Sequence, residues 1–245
     1  MLHQYWLASV NLPNVCTLLL ALTLSIPPLC GKAAEATPLV QVAKVSGFAD
    51  DAAFLFYLDG NLVLTNFVVW KTNGTFASKG EGMAEGHTIR METSLSSDVD
   101  GRWCEVSMVM PIHKTGVKRS GNNAVLTLPE GDTRTVLLNP GVFPFVGMLG
   151  LNLYTRFYDE AKGGKQSLPI LIPHKKADKL TMEQKRSFQR TLGVKKLRLR
   201  EFEVKTAGMD AIIWIDDRGR LIKSAQPEEG AIFIRSGYEM WREER

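Results

Sequence analysis

Glycine-bearing turn signals recur along this chain at the spacing of short strands, and no other feature restricts its fold as much. Asp59-Gly60 and Asn73-Gly74 suit tight hairpins, because both central residues of a type I′ turn need positive φ. Asp98-Val99-Asp100-Gly101, Pro129-Glu130-Gly131-Asp132, Asp216-Asp217-Arg218-Gly219 and Pro227-Glu228-Glu229-Gly230 punctuate the rest. Between them lie runs at 54–58, 62–70, 87–95, 102–110, 125–128 and 133–138, drawn largely from good strand formers. Strand, turn and strand at such short spacing predict an antiparallel meander.

The adjacent acids Asp216 and Asp217 pose a choice between a catalytic carboxylate pair and a hairpin bend. Acid–base work needs an enclosure that drives two carboxyl pKa values apart, and a polar corner between Ile212–Ile215 and Leu221-Ile222 offers none. A type I turn closed by a left-handed Gly219, with Asp216 bonding its own turn, accounts for the residues. Nearby, 167–172 reads as a short strand ended by Pro173. Residues 179–190 also read as strand, although Leu180–Gln184 would suit a helix. Leu197 and Leu199 share one parity, Phe202 and Val204 the other, which predicts a bulge near Arg200-Glu201. Asn73-Gly74-Thr75 matches a glycosylation sequon, but the turn explains it.

One segment breaks the series. Phe145, Val146, Leu149, Leu153 and Phe157 recur at helical spacing, Pro140 or Pro144 suits a first turn, and Gly163-Gly164 would stop it. The pattern predicts a buried apolar helix over about 142–161, with Phe145, Leu149, Leu153 and Phe157 as candidate lining for an apolar ligand. A plug that simply fills the sheet is the plainer alternative.

The N-terminus reads as an export signal. Residues 15–26 are apolar for the length of a signal h-region, Pro27-Pro28 ends the run, and Ala34-Glu35-Ala36 offers small residues for cleavage after Ala36. No Lys or Arg precedes the apolar run, so an uncleaved anchor or a misassigned start is the competing reading. Signal 1–36 followed by one β-rich domain, 37–245, implies a periplasmic or secreted protein. No later run has the ~20 apolar residues a spanning helix requires. Cys104 is the one cysteine after residue 36. It alternates with Val106, Met108 and Met110, which predicts a buried, inert thiol.

Motifs for chemistry are missing. There is no Gly-x-Ser-x-Gly, no His-Glu-x-x-His, no Cys-x-x-Cys and no phosphate-cradling Gly-x-x-x-x-Gly-Lys. His87, His113 and His174 lack ligand spacing. No catalytic, cofactor-binding or metal-binding residue is assigned, and no cofactor is expected. The charged feature is the stretch 162–205, where thirteen Lys or Arg stand against four acids. Lys175, Lys176, Lys195, Lys196 and Arg198 are candidate contacts to an anionic surface. A solvated face with opposite charges on neighbouring strands is the plainer account. Nucleic acid is not expected, since no recognition motif occurs.

Trp214-Ile-Asp-Asp-Arg-Gly-Arg-Leu-Ile222, with the later Pro227 and the apolar strand after it, resembles the C-terminal hairpins of certain exported bacterial proteins of unknown function. Tyr158–Pro169 is similar to the helix-to-strand passage of the same group, some of whose relatives precede exported α/β-hydrolase domains. The resemblance covers roughly 54–235 and rests on short structural motifs. It implies a strongly curved antiparallel meander sheet, a half-barrel enclosing one apolar helix, like periplasmic lipoprotein carriers in outline. It carries over no catalytic residue. The expected function is that of an exported, non-catalytic envelope protein with a binding or accessory role, sheltering an apolar or lipid ligand or engaging an envelope protein. The alternatives are an interaction module of an envelope assembly and an unrecognised hydrolase-like enzyme.

Overall fold

Among the described residues, alternating side chains and tight turns give fifteen strands in one open sheet. The structure, a computed structural model, describes residues 39–242 apart from 85, 112, 146, 148–149, 173–177 and 207–208. The expected signal segment therefore lies outside the described residues. Eight strands form the first run: β1 (Asp50–Leu58), β2 (Asn61–Trp70), β3 (Phe76–Ala84), β4 (His87–Ser97), β5 (Trp103–Met110), β6 (His113–Ser120), β7 (Asn123–Thr127) and β8 (Thr133–Leu137). The second run is β9 (Phe143–Pro144), β10 (Lys165–Leu171), β11 (Asp178–Leu192), β12 (Lys195–Thr206), β13 (Met209–Asp216), β14 (Leu221–Gln226) and β15 (Ala231–Arg235). The chain starts mid-sheet, walks outward to β8, crosses to β9 at the other end, and walks back until β15 pairs with β1. Every ladder is antiparallel except that of β9 with β10.

The expected meander is present, but only one of the two expected type I′ turns is: at Asn73-Gly74 the glycine alone has positive φ (95°), and the corner is closed instead by Gly74 N to Lys71 O and Lys71 N to Thr75 O (both 2.8 Å). Asp59 and Gly60 both have positive φ (49° and 81°), as a type I′ turn requires. Leu64, Val68 and Trp70 on β2 turn to the core, while Phe67 and Val69 between them face out. The same alternation places Phe76, Leu95, Val106, Val117 and Leu126 in register with Trp70, one buried row across six strands.

Residues 40–47 lie across this half as a strap. Val40 N donates to Asn122 Oδ1 (2.6 Å), Val45 N to Gly101 O (2.7 Å) and Gly47 N to Thr72 O (2.7 Å). Trp103 is fully buried and its indole N–H donates to Val142 O (2.8 Å), beside β9. Strands of both runs thus share one hydrophobic cluster, which extends from Val68 and Trp103 to Phe202 and Ile213.

Among the described residues of 142–161 the expected long apolar helix is not there. Over 142–161 the chain forms the two-residue strand β9, one helical turn at Leu151–Tyr154 and a 3-10 turn at Thr155–Phe157, and Tyr158 is already extended. The helical spacing misleads because the backbone is interrupted. Pro144 pairs with Leu171 in a ladder. Gly147 has φ +71°, a left-handed conformation that no right-handed helix continues through. What remains after it is too short to sustain a helix, since nucleation is costly. The segment still serves as core: Val142, Phe143, Leu153 and Tyr154 are buried, and Phe143 meets Tyr154 and Phe157 edge-on at 5.6 and 4.5 Å.

Two further expectations need correction. The bulge expected at Arg200-Glu201 lies on the facing strand, where Gln184 pairs with Phe202 and Arg186 with Glu201, leaving Lys185 as the extra residue. β12 itself pairs regularly with β13. Its change of parity marks a change in which face is covered. Phe202 and Val204 join the main core, whereas Leu199 joins a second cluster on the other face with Tyr57, Trp214, Ile222, Ile234, Tyr238 and Trp241. Cys104 is only half-buried, because the bulge opposite Ser96 and Ser97 gives Trp103 the core position that regular alternation would assign to it.

Candidate functional site

Four arrangements have the makings of a site, and the first is the inner face. β3 contributes Gly80 and Gly82 where its neighbours carry side chains. Gly80 pairs with Asn66 on one side and Met91 on the other, and Gly82 pairs with Leu64 and Ile89. Ile89, Met91, Met108 and Met110 lie on this face and are half-buried, in contrast to the sealed row from Trp70 to Leu126. Asn66 is completely buried among them, and neither its amide nitrogen nor its oxygen has a hydrogen-bond partner among the described residues. An unpaired buried amide costs about 1–3 kcal/mol, so this polar spot in an apolar wall is conspicuous.

Of the expected ligand-lining residues, Phe145 and Phe157 are half-buried and pack at the margin of the core. Phe145 stacks on Tyr154 with ring centres 6.4 Å apart. Leu153 is sealed inside, at 1 % exposure. Leu149 lies outside the described residues.

The second arrangement surrounds Lys223, which is 2 % exposed on the opposite face of β14. Its ammonium sits over the rings of Trp214 (5.1 Å) and Trp241 (5.3 Å) and donates to Trp241 O (2.9 Å) and Arg242 O (3.3 Å). Burial, and secondarily the Arg190 charge, pushes its amine down to about 8. The cage fastens the C-terminal turn Glu239–Trp241 over the second cluster and has the character of a clasp.

The third is the basic stretch. Much of it is paired, as alternating charges on adjacent strands would dictate. Lys185 bridges Glu183 and Glu203 (2.7 and 2.8 Å), and Lys205 bridges Glu203 and Asp210 (3.0 and 2.9 Å). Hydrogen bonds from Lys185 and then Lys205 hold Glu203 down to about 2. Arg186 meets Glu201 (2.8 Å) and Arg200 meets Glu160 (2.6 Å). Lys196 and Arg198 are different: both are exposed, and neither forms an ion pair with a described residue. For Lys195 only the backbone is described, and Lys175 and Lys176 lie outside the described residues.

The fourth is an open groove of about 370 Å³ on the outer face of β2–β5, walled by Phe67, Val69, Lys79, Glu92 and Val109 above Ala77 and Ser107. Phe67 is 60 % exposed there. Regular strand alternation, read more closely, would have flagged Phe67 and Val69 as outward-facing.

The acidic pair at 216–217 is a corner. Asp216 is 1 % exposed; its Oδ1 accepts from Arg218 N (3.0 Å) and Arg220 N (2.8 Å), and its Oδ2 accepts from Arg220 Nε (2.7 Å). Asp217 is exposed beside it. Among the described residues no group of three or more His, Cys, Asp or Glu is placed to hold a metal ion, and no helix is long and apolar enough to cross a membrane. Comparison with protein-family models, with curated proteins and with solved structures gives no match.

Proposed function

We propose that this is an exported, non-catalytic cell-envelope protein that shelters an apolar or lipid ligand against the inner face of its sheet. The supporting observation is the inner wall at β3–β5, where glycine and methionine replace bulky, rigid side chains around the unpaired amide of Asn66. Methionine fills irregular space and adapts to apolar partners. The contact of Trp103 in β5 with Val142, beside the edge strand β9, brings the two runs of strands together and favours a half-barrel, open where the wall is only half-buried.

Native mass spectrometry of protein purified from a bacterial host tests this reading. Bound lipid masses, released by organic solvent and lost in the double substitution Met91→Glu with Met110→Glu, are expected. A clean apo mass from the unaltered chain would overturn it.

A second reading, an interaction module of an envelope assembly, is favoured by the outer groove with its exposed Phe67. It predicts an apo mass and capture of an envelope protein that Phe67→Asp abolishes.

A further inference from the structure

The β11–β12 hairpin outruns the rest of the sheet. β13 pairs with β12 only from Leu199 onward, so Lys195–Arg198 pair with β11 alone and the turn Gly193-Val194 stands beyond them. No acidic residue occurs between Gln184 and Arg200, while Lys185, Arg186, Arg190, Lys195, Lys196, Arg198 and Arg200 do. Of the basic side chains described beyond the last β13 pair, Arg190 is engaged at the Trp241 ring, while Lys196 and Arg198 have no ion-pair partner among described residues. Those nearer the sheet are engaged with Glu183, Glu201, Glu203 and Glu160.

The ribbon's root is fixed. Phe188 and Leu197 pack on the second cluster, and the Arg190 guanidinium lies 4.9 Å over the Trp241 ring. Its tip is greasy. Val194 is 99 % exposed and Met240, 63 % exposed, reaches to within 3.8 Å of the side-chain position at Gly193. The tip thus joins an exposed valine to two nearby cations, Lys196 and Arg198, that have no ion-pair partner among described residues. It matches a bilayer surface, where the apolar tip enters the headgroup boundary and the cations meet lipid phosphates.

We propose that this ribbon tip is a docking wedge for an anionic lipid bilayer, with Val194 and Met240 as the inserted edge and Lys196 and Arg198 as the phosphate contacts. The ribbon tip and the inner wall at β3–β5 have no residue in common, so vesicle docking and ligand shelter stand or fall separately.

The test is co-sedimentation of the purified full chain with vesicles of phosphatidylcholine plus phosphatidylglycerol, and with vesicles of phosphatidylcholine alone. Binding to the anionic vesicles alone is expected, weakening as salt rises. Lys196→Gln with Arg198→Gln should weaken it roughly thirty-fold, at about fivefold per basic residue near the surface. Val194→Asp should weaken it roughly tenfold while leaving thermal stability unchanged, because the side chain touches nothing. Equal binding to both vesicle types, or no loss in the double Gln variant, would overturn the proposal. So would Val194→Asp binding like the unaltered chain with heparin competing fully, since that pattern describes a general polyanion contact.

Discussion

Two corners of the molecule share one five-residue grammar and use it differently. Asp98-Val99-Asp100-Gly101-Arg102 joins β4 to β5, and Asp216-Asp217-Arg218-Gly219-Arg220 joins β13 to β14. Each is closed by the same two backbone bonds, Asp98 N to Arg102 O (2.8 Å) and Gly101 N to Asp98 O (2.9 Å), against 3.0 Å for both equivalents in the other. In each, one carboxylate oxygen accepts from the backbone N–H groups two and four residues on. The glycines adopt nearly the same φ, 75° and 76°.

The difference lies in the second carboxylate oxygen. At the first corner Asp98 accepts from Arg119, which belongs to β6 (2.5 Å). At the second, Asp216 accepts from Arg220 of its own turn (2.6 Å) and is almost wholly buried. One corner therefore ties neighbouring strands together, and the other is a self-contained rigid knot. That knot stands at the root of the ribbon, because Asp216 pairs with Leu199, the last residue of β12 that β13 supports. Stiffness at that point is what a protruding wedge requires.

The largest effect should come from untying the knot. Asp216→Ala removes the acceptor for two backbone donors and one guanidinium at a buried position, and should cost about 3 kcal/mol. Asp98→Ala, whose site is partly open to water, should cost about half as much, roughly 1.5 kcal/mol. Urea titration of both variants measures the two losses as shifts in midpoint at constant slope. An inverted order would show that the cross-strand tie, and not the self-contained knot, holds the sheet. Asp216→Ala should also weaken vesicle docking although no charge on the ribbon has changed.

The next contrast concerns the glycines, whose φ values match but whose surroundings do not. A Cβ on Gly101 would lie 2.0 Å from the Ser46 hydroxyl of the strap, whereas one on Gly219 meets nothing within 4 Å. Gly219→Ala should cost about 1 kcal/mol, the left-handed penalty alone. Gly101→Ala should cost about 2 kcal/mol or more, because the strap must also shift. Pairing Gly101→Ala with Ser46→Gly should recover most of the difference in thermal midpoint. If it does not, the strap is not what crowds that corner.

Both corners show how far local pattern carries. Glycine and aspartate at fixed offsets announce a turn, so most of the meander was readable, and so was the structural role of Asp216. What pattern could not carry was anything decided by distant residues. β6 passed unnoticed because Lys114, Lys118 and Arg119 hide the two inward residues Thr115 and Val117. The helical spacing of Phe145 to Phe157 was real, but Gly147 and the pairing of Pro144 with Leu171 outweighed it. The second cluster, formed when the C-terminal turn folds back over Trp214, made β12 look bulged when it is regular. The glycine-and-methionine inner wall needed the register of β2 to β5 before its residues could be placed side by side.

The smallest effect tests whether the tie at the first corner is electrostatic. Burial acts to raise the Asp98 pKa, but the hydrogen bond from Arg119 and those from the Arg102 and Asp100 backbones outweigh it and hold the carboxyl below its ordinary value. A carboxyl depressed in the folded state stabilises the fold at pH values above its unfolded pKa, and that contribution is lost as pH falls through the folded pKa. Asp98→Asn keeps the backbone acceptor and removes the charge facing Arg119. The stability gap between the unaltered chain and this variant should therefore be greatest near neutrality, no more than about 1 kcal/mol for a partly exposed pair. It should close as pH falls from about 5 toward 3, the range in which an ordinary aspartate takes up its proton. Thermal midpoints of both proteins across that range supply the measurement. A gap that stays constant would mean that Arg119 holds the corner by shape and neutral hydrogen bonding. The two corners would then differ in burial and in which strand supplies the arginine, and the distinction between a tie and a knot would have no electrostatic content.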